Sequence, residues 1–552
     1  MRRPFAGALA AAGFWAGLAA CGGGPRPVTK PVPAAAGVTG PAGEMLGLPP
    51  IPHVAGPVAI SVVYPRAGAL IMSRDSNFIL GSVGTGDATL TINGSNVPVR
   101  PNGAFLAWLP VPDSATSRYD LVAVAGTDTV RLSHPVRVLP LPSALDTLAD
   151  TMAALPRPFP DSGRFVAIMP TDTALPDTDR AVIARPVPGG TYKWFLLPGT
   201  VLQVTGRSPG YERVRLDEAL DAWISLGDAR MVPLAPTVRP PQRVVGGVRV
   251  VPAPGWEDVI LALGDRPPFA VEETGNDLVL TLYSTQASTS LIQYVGRVSG
   301  PPGLPDTLVE SVTWSQDTRD RARYTIHLSR PPYGYLVMWV GSSLVVRVRR
   351  PPLVDPLTPL HGLTIAVDAG HPPAGSTGPT GLYEPVPTLA IAQQVEAMLI
   401  ARGATVVMTR TTADPVGLNS RPVTARRFNA NALVSIHLNA LPDGMNPFVS
   451  HGTGSYFFQL HSIGLARAVQ TGMLRAMGLR DLGVHYDNLA LVRPTWMPAV
   501  LCEGAFIIIP EQEAALRTTE FQAAYARGVV AGLESYFRSL APAPAAPPTA
   551  GP

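Results

Sequence analysis

The pattern of hydrophobic and polar positions changes once along the chain, near residue 352. Beyond that point, short continuous apolar runs alternate with stretches whose apolar residues recur every three or four positions, which predicts buried strands alternating with helices. The strand Leu363–Asp368 is followed by a helix from Thr388 to Arg402, with Gly403 as its stop. This alternation predicts an α/β domain over residues 360–540, with a mostly parallel sheet covered by helices.

Before residue 352 the pattern is that of all-β modules: short alternating runs separated by Gly, Asn and Asp turns. The runs fall into three groups, at residues 56–140, 160–235 and 245–350. The first group, with its turn at Asn93-Gly94, resembles bacterial Ig-like β-sandwich modules. The second is similar to the bacterial SH3-like barrel, whose last strands often carry a tryptophan such as Trp223. We therefore expect a multidomain protein in which β-modules precede the α/β domain.

The first residues predict an export signal. Arg2 and Arg3 precede an apolar run from Phe5 to Ala20, which is short for a membrane-spanning helix. The run ends in Leu-Ala-Ala-Cys21 and so resembles a bacterial lipoprotein signal, which implies a membrane anchor through lipid on Cys21. Two alternatives stay open: a plain secretory signal with an incidental cysteine, and a twin-arginine signal. The remaining terminal predictions are a signal peptide at 1–20, a Pro/Gly/Ala-rich tether at 21–55 and a disordered tail at 541–552.

These features predict a location in the cell envelope. We expect a periplasmic protein that is lipid-anchored, and Gly22 in place of an aspartate favours the outer membrane. The 43 basic and 40 acidic residues nearly balance and form no long block of one sign, so no nucleic-acid partner is expected. The only other cysteine is Cys502, so an internal disulfide is not expected either.

Candidate catalytic residues lie at the ends of the strands predicted in the α/β domain. His371 follows the strand that ends at Asp368, and His437 and Glu503 close two later strands. Glu384 lies in the loop before the first helix, and open sheets of this class bind ligands at this edge. Two imidazoles and one carboxylate suit Zn²⁺ and leave a fourth position for water, whose pKa falls to about 7. Amide hydrolysis also needs a proton shuttle, for which Glu503 is the candidate.

Four motifs carry a family resemblance: Asp-Ala-Gly-His371, Gly-Leu-Tyr-Glu384, Ser-Ile-His437-Leu-Asn and Pro-Ala-Val-Leu-Cys-Glu503-Gly. Together they resemble the ordered motifs of the zinc-dependent N-acetylmuramoyl-L-alanine amidases over about 180 residues. The resemblance implies that His371, Glu384 and His437 hold zinc, that Glu503 is catalytic, and that the substrate is the bond between N-acetylmuramic acid and L-alanine in peptidoglycan. The module at 245–350 is similar to the β-domain that commonly precedes such amidases and is thought to bind the wall.

The sequence departs from the family pattern in three loops, at Pro372-Pro373, Pro385–Thr388 and Ile507–Pro510. These departures affect loop shape and leave the predicted metal ligands intact. No inhibitory helix is expected between Ala440 and Gly454, because only about 15 residues rich in Pro and Gly separate the neighbouring strands. Regulation would then act through the β-domains, including through envelope protein partners, or through the tether.

Several roles remain open. Asp368 could accept a hydrogen bond from a ligand imidazole or cap a turn. Arg421 could contact substrate or form a structural ion pair, and Asn439 could donate to a substrate carbonyl or shape its loop. His485 could line the cleft, whereas Cys502 is not expected to act as a nucleophile because it points away from Glu503 across the strand. Two other functions compete with the amidase: a non-catalytic peptidoglycan-binding scaffold and a zinc peptidase that cuts within the stem peptide.

Overall fold

The structure, a computed structural model, describes residues 48–113, 115–138, 163–171, 181–235, 241–288 and 307–541. The predicted signal peptide at 1–20, the lipidation site Cys21, most of the tether at 21–55 and nearly all of the tail at 541–552 lie outside the described residues. Among the helices of the described part, none combines the length and the apolar character needed to cross a bilayer.

The first β-region is a sandwich of two antiparallel sheets, in the orders β1-β3-β6 and β5-β4-β7-β8, beside the small parallel pair β2-β9. Alternate residues of both sheets face one buried core, in which Ile79 and Phe105 of one sheet meet Leu90 and Tyr119 of the other. The strands are β1 Ser61–Tyr64, β2 Leu70–Ile71, β3 Ser76–Ser82, β4 Thr89–Ile92, β5 Ser95–Val97, β6 Ala104–Pro110, β7 Arg118–Ala125, β8 Asp128–Pro135 and β9 Arg137–Val138.

The next two β-regions share one continuous antiparallel sheet, although the sequence pattern separates them. Its order is β16-β10-β13-β14-β15-β11-β12-β20-β21-β24-β23, and the two regions join where Phe195 of β12 pairs with Phe269 of β20. The strands of the first of these regions are β10 Phe165–Pro170, β11 Val182–Arg185, β12 Trp194–Leu196, β13 Thr200–Ser208, β14 Tyr211–Asp217, β15 Leu220–Ser225 and β16 Ala229–Pro233.

The third β-region adds a second sheet, β18-β19-β26-β25, whose apolar face packs against β21 and β24 of the long sheet through residues such as Leu261, Leu280 and Tyr324. A short parallel pair, β17-β22, closes one side. The strands are β17 Val244–Val245, β18 Gly247–Ala253, β19 Trp256–Ala262, β20 Phe269–Thr274, β21 Asp277–Tyr283, β22 Gln286–Ala287, β23 Val309–Thr318, β24 Arg321–Leu328, β25 Tyr335–Val340 and β26 Ser343–Arg349.

The C-terminal domain has a mixed sheet in the order β28-β27-β29-β32-β30-β31, in which only the β32–β30 pairing is antiparallel. The α/β class with a mostly parallel sheet is therefore confirmed. Residues 440–452, between β29 and β30, form turns without a helix. The elements are β27 Thr364–Ala369, α1 Pro385–Ile400, β28 Thr405–Met408, α2 Ser420–Arg427, β29 Ala432–Asn439, β30 Thr453–Phe457, α3 Ile463–Met477, β31 Asp481–Tyr486, β32 Ala499–Phe506, α4 Pro510–Leu516 and α5 Thr519–Leu540.

Helices cover both faces of this sheet. On one face α1, α3 and α5 bury Val395, Val469 and Val529 against the strands. Helices α3 and α5 approach so closely that a Cβ atom on Gly472 would lie 2.2 Å from the carbonyl oxygen of Gly528. The other face is covered by α2 and by the short 3₁₀ helix Ala490–Val492. The metal-ligand candidates described next lie at the carboxyl edge of this second face.

Candidate metal centre

The register of the sheet brings His437 and Glu503 together. They occupy paired positions on the parallel strands β29 and β32, so their side chains point to the same face. Leu501, two residues before Glu503, packs under α2, whereas Cys502 packs into the core on the opposite face. The predicted separation of Cys502 from Glu503 follows from this alternation. The buried environment raises the pKa of the Cys502 thiol, so it stays protonated.

His371 and Glu384 reach the same edge from loops. His371 comes two residues after the end of β27, and Glu384 immediately precedes α1. The Glu384 carboxylate lies 3.3 Å from His371 Nε2 through Oε2 and 3.3 Å from His437 Nδ1 through Oε1. One ligand atom from each of the three residues lies within 4.8 Å of the other two. The structure thus brings together the three predicted metal ligands, which are 66 positions apart at most.

Backbone donors fix the Glu384 carboxylate between the histidines. Its Oε1 accepts from Leu438 N at 3.0 Å and its Oε2 from Ser376 N at 2.9 Å. Burial acts to raise the pKa of Glu384, but hydrogen bonds from His371 and His437 and their charges outweigh it, so the pKa falls far below its usual value. Burial lowers the pKa of His371, but the hydrogen bond to Glu384, the charge of Glu384 and the contact with the Pro373 carbonyl together outweigh it, so the net shift is upward. The carboxylate is therefore ionised, as a metal ligand must be.

The pKa of Glu503 is shifted in the opposite direction from that of Glu384. Burial, and then the charge of Glu384, raise its pKa well above the usual value for a glutamate. Its Oε2 atom is inaccessible to solvent and accepts no hydrogen bond from the residues that the structure describes. A buried oxygen of this kind is where a water molecule or an ion can supply the missing partner. Two imidazole nitrogens and a carboxylate oxygen beside it are the donor set that Zn²⁺ prefers, so these residues fit a zinc site.

Asp368 and Arg421 form a buried ion pair behind the metal ligands. Arg421 Nη1 lies 3.0 Å from Asp368 Oδ1, and both side chains are almost completely buried. Asp368 also accepts from Ser435 Oγ at 2.6 Å and from the Thr409 hydroxyl. Among the described residues, its partners do not include a ligand imidazole. Of the roles left open, the geometry favours the structural ion pair for Arg421.

Two arginines hold the backbone that carries His371. Arg421 donates to the carbonyl oxygens of His371 at 3.1 Å and Pro372 at 2.8 Å. Arg410, which sequence reasoning missed, donates to Ala369 O at 2.7 Å and Gly370 O at 3.0 Å. Its position two residues after the end of β28, at the carboxyl edge of the sheet, is the signal that could have identified it.

Sequence reasoning also missed Glu513, which holds the loop before Glu384 through hydrogen bonds. Glu513 of α4 accepts from Thr380 N at 3.0 Å and Leu382 N at 3.1 Å, in the loop that leads to Glu384. Burial raises the pKa of Glu513, although these backbone donors oppose the shift. Both loops that carry metal ligands are thus tied to the helical layer by charged side chains.

Tyr456 and His485 extend the site away from the metal ligands. Tyr456 of β30 lies on the face that carries Glu503, and burial followed by the charge of Glu503 raises its pKa to about 12. Its hydroxyl is hydrogen-bonded to Asn439, which lowers the pKa in part. The exposed His485 ring packs against Tyr456 at 5.1 Å between centroids. Sequence reasoning missed Tyr456, because it lies within a strand rather than at a strand end.

Comparison with known proteins gives a family match over the same domain. The N-acetylmuramoyl-L-alanine amidase family matches residues 365–535. A sporulation-specific N-acetylmuramoyl-L-alanine amidase of Bacillus subtilis is 31% identical over 182 residues, which cover 31% of this chain and 68% of the relative. The probable cell wall amidase LytH of Staphylococcus epidermidis is 31% identical over 185 residues. That match covers 33% of this chain and 60% of the relative's length.

Among solved structures, the catalytic domain of CwlV, an N-acetylmuramoyl-L-alanine amidase from Bacillus (Paenibacillus) polymyxa var. colistinus, is 33% identical. The match covers 32% of this chain and 97% of that domain, with a TM-score of 0.30. The sequence match to the family spans all four candidate residues of the metal centre. The chain therefore belongs to the N-acetylmuramoyl-L-alanine amidase family of enzymes.

Proposed function

We propose that the protein is a zinc-dependent peptidoglycan amidase that hydrolyses the bond between the lactyl group of N-acetylmuramic acid and the L-alanine of the stem peptide. The observation that carries the proposal is the His371–Glu384–His437 cluster, beside which lies a buried oxygen of Glu503 that has no hydrogen-bond partner among the described residues. The amidases to which this chain is similar support the choice of substrate.

In this proposal His371, Glu384 and His437 hold the metal ion. When bound, Zn²⁺ supplies Lewis-acid activation of the scissile carbonyl and of water. The backbone donors on Glu384 keep its carboxylate pointed at both histidines, so the ligands need little rearrangement on binding. The arginine and glutamate clamps keep the two ligand-bearing loops from moving apart.

In this proposal Glu503 transfers a proton from the attacking water to the leaving nitrogen. Burial raises its pKa and so makes the carboxylate a stronger base, which favours taking a proton from the attacking water before returning it to the leaving nitrogen. The return step matters because an amide anion is a poor leaving group. Tyr456, with its hydroxyl protonated at neutral pH, lies on the face of the sheet that carries Glu503.

The location of the protein follows from the same proposal. An enzyme that acts on peptidoglycan works outside the cytoplasm, which agrees with the predicted signal peptide and with lipid attachment at Cys21. We propose that the lipid anchors the chain in the envelope, at the outer membrane, with the β-domains between the anchor and the catalytic domain. Labelling with a radioactive fatty acid tests this directly, and a Cys21→Ala variant that incorporates as much label as wild type would refute it.

Digestion of purified peptidoglycan with the full chain tests the activity. Mass analysis should find free stem peptides and intact glycan chains. Shortened stems still attached to sugar would instead indicate a peptidase, and no products from a zinc-loaded, folded protein would indicate a binding scaffold.

Glu503→Gln tests the proton shuttle. The variant should keep its zinc and lose turnover by at least about 100-fold, because general acid–base catalysis is worth that much or more. Glu520→Gln, an exposed position in the first turn of α5, is the matched control and should leave both zinc content and turnover unchanged. Equal turnover in Glu503→Gln and wild type would exclude Glu503 as the shuttle.

A further inference from the structure

One sheet of the N-terminal β-sandwich, β1-β3-β6, has apolar residues on both faces. Ile79 and Phe105 point into the core of the sandwich. Their neighbours Phe78, Leu80 and Leu106 instead belong to the apolar core of the catalytic domain. Two buried faces require a covering layer on each side, because apolar surface is stabilised by removal from water. The catalytic domain is the second layer, so the sandwich is packed onto it over an apolar surface.

Beside this surface, a first polar contact reaches the loop that follows the metal-ligand candidate His437. Asp443, six positions after His437, accepts hydrogen bonds from three groups of the sandwich. One of these donors is the completely buried side chain of Asn77, at 2.7 Å. On the same stretch of chain, Leu438 N donates to the Glu384 carboxylate. The sandwich thus holds the strand end that supplies one ligand and a backbone donor to another.

A second polar contact reaches α4. Arg100 Nη2 of the sandwich lies 2.6 Å from Glu511 Oε1, and the two side chains are 24% and 29% exposed. Glu513, two positions further along α4, accepts from the backbone of the loop that leads to Glu384. Residues two apart in an α-helix point to nearly opposite sides of it. Helix α4 therefore connects the sandwich on one side with a ligand-bearing loop on the other.

The two contacts converge on Glu384. Its carboxylate accepts from Leu438 N on the strand held through Asp443, and its loop is held by Glu513. That carboxylate lies 3.3 Å from a ring nitrogen of each histidine. Residues that orient metal ligands from behind typically change metal affinity 10–100-fold when they are replaced.

We propose that the N-terminal β-sandwich is a positioning element for the metal centre. Arg100 acts through α4, and Asn77 acts through the loop after β29, to keep Glu384 between the two histidines. Both are positioning residues, because they act through other side chains. The inference rests on the proposed function, since it takes these ligands to bind zinc. Displacement of the sandwich would then loosen the metal centre, so that a contact far from the site changes activity.

Variants confined to the sandwich test this role. Arg100→Glu replaces the ion pair with a like-charge pair beside Glu511, and Asn77→Ala removes the buried amide. Arg100→Lys keeps a cation at the same position and serves as the conservative variant. Arg118→Glu is the matched control, because the 3.1 Å ion pair of Arg118 is with Asp120, inside the sandwich.

Zinc affinity of the full chain is measured by chelator competition at constant pH. Arg100→Glu and Asn77→Ala should each weaken zinc binding about tenfold, the lower end of the range for residues behind metal ligands. Arg100→Lys should bind zinc within about twofold of wild type, and Arg118→Glu should match wild type. Wild-type affinity in both Arg100→Glu and Asn77→Ala, or an equal loss in Arg118→Glu, would overturn the proposal.

Hydrogen exchange in metal-free protein separates this inference from the amidase proposal. Thr380 N and Leu382 N donate to Glu513. Leu438 N donates to Glu384. In Arg100→Glu and Asn77→Ala these amides should exchange about tenfold faster, because the segments that hold their acceptors open more often. Amides in the middle of α3 and α5 should exchange at the wild-type rate.

Unchanged exchange at the three amides would overturn the proposal even in an active amidase. Equal acceleration in α3 and α5 would also overturn it, since it would show a general loss of stability. Faster exchange confined to the two ligand-bearing segments, in a protein that cleaves no peptidoglycan, would refute the amidase proposal and support the positioning role of the sandwich.

Discussion

The N-terminal β-sandwich contacts the catalytic domain through a shared apolar cluster, through the Arg100–Glu511 ion pair and through the Asp443 carboxylate. Asp443 accepts several hydrogen bonds from the sandwich, which makes Asp443→Ala an informative perturbation. Asp443 lies in the loop after β29 and accepts from Asn77 Nδ2 at 2.7 Å, from Met72 N at 2.7 Å and from the Tyr64 hydroxyl. Asn77 is completely buried and returns a hydrogen bond by accepting from Gly444 N at 3.1 Å. These contacts join segments more than 360 positions apart in sequence.

The size of the effect follows from the donors that would be left unsatisfied. Met72 is 64% exposed, so water can replace its lost acceptor, whereas the buried Asn77 amide has no such replacement. A hydrogen bond to a charged acceptor contributes about 1.5–3 kcal/mol, and an unsatisfied buried donor costs about 1–3 kcal/mol. Both figures describe largely the same loss, so they should not be added. We therefore expect Asp443→Ala to destabilise the folded protein by roughly 2–3 kcal/mol.

A double-mutant cycle with Asn77→Ala tests this reasoning. Denaturant unfolding can be followed by the fluorescence of Trp108, which packs against the apolar cluster shared by the sandwich and the catalytic domain. Directly interacting residues should give a coupling energy of about 1–2 kcal/mol, and Asp414→Ala, in an exposed loop, should give none with Asn77→Ala. A coupling below about 0.5 kcal/mol between Asp443 and Asn77 would refute the docking argument.

Two further predictions concern the metal and the core. The pKa of His371 is raised, so in metal-free protein its protonated form stabilises the fold at low pH, and this contribution is lost as the pH rises through the folded-state pKa. Zinc needs the neutral imidazole, so its affinity should fall by up to about tenfold per pH unit below that pKa. Chelator competition at pH 8 and pH 6 measures this, and equal affinities would contradict it. Gly472→Ala should lower stability by about 1–3 kcal/mol, because its Cβ would collide with the Gly528 carbonyl; an unchanged melting temperature would show that α3 and α5 can separate.

The strands and helices of the catalytic domain could be predicted because the hydrophobic pattern that indicates each of them lies within a short stretch of sequence. Continuous apolar runs mark buried strands, and the strand predicted at Leu363–Asp368 is observed at Thr364–Ala369. The candidate ligands follow from the convergence of parallel strands at one edge. The predicted start of α1 was wrong: the helix begins at Pro385 rather than at Thr388. Proline lacks only an N–H that the first helical turn leaves unpaired, so it is compatible with this position.

Contacts between distant segments were not predictable. β12 pairs with β20 edge to edge, and the sequence around either strand gives no indication of the other. Arg410 appears in the sequence as one more arginine after a strand, and its role emerges only when the carbonyls of Ala369 and Gly370 are placed beside it. Hydrophobic pattern defines which residues are buried, but the choice of polar partners depends on the folded geometry.

The prolines after His371 explain why a buried arginine is needed there. Pro372 and Pro373 have no N–H groups, so neither position can donate a backbone hydrogen bond. Arg421 supplies donors to the His371 and Pro372 carbonyls instead. A buried guanidinium is costly unless it is paired, and Asp368 provides the compensating charge. The Asp368–Arg421 ion pair therefore holds in place the proline-containing loop that carries the candidate metal ligand His371.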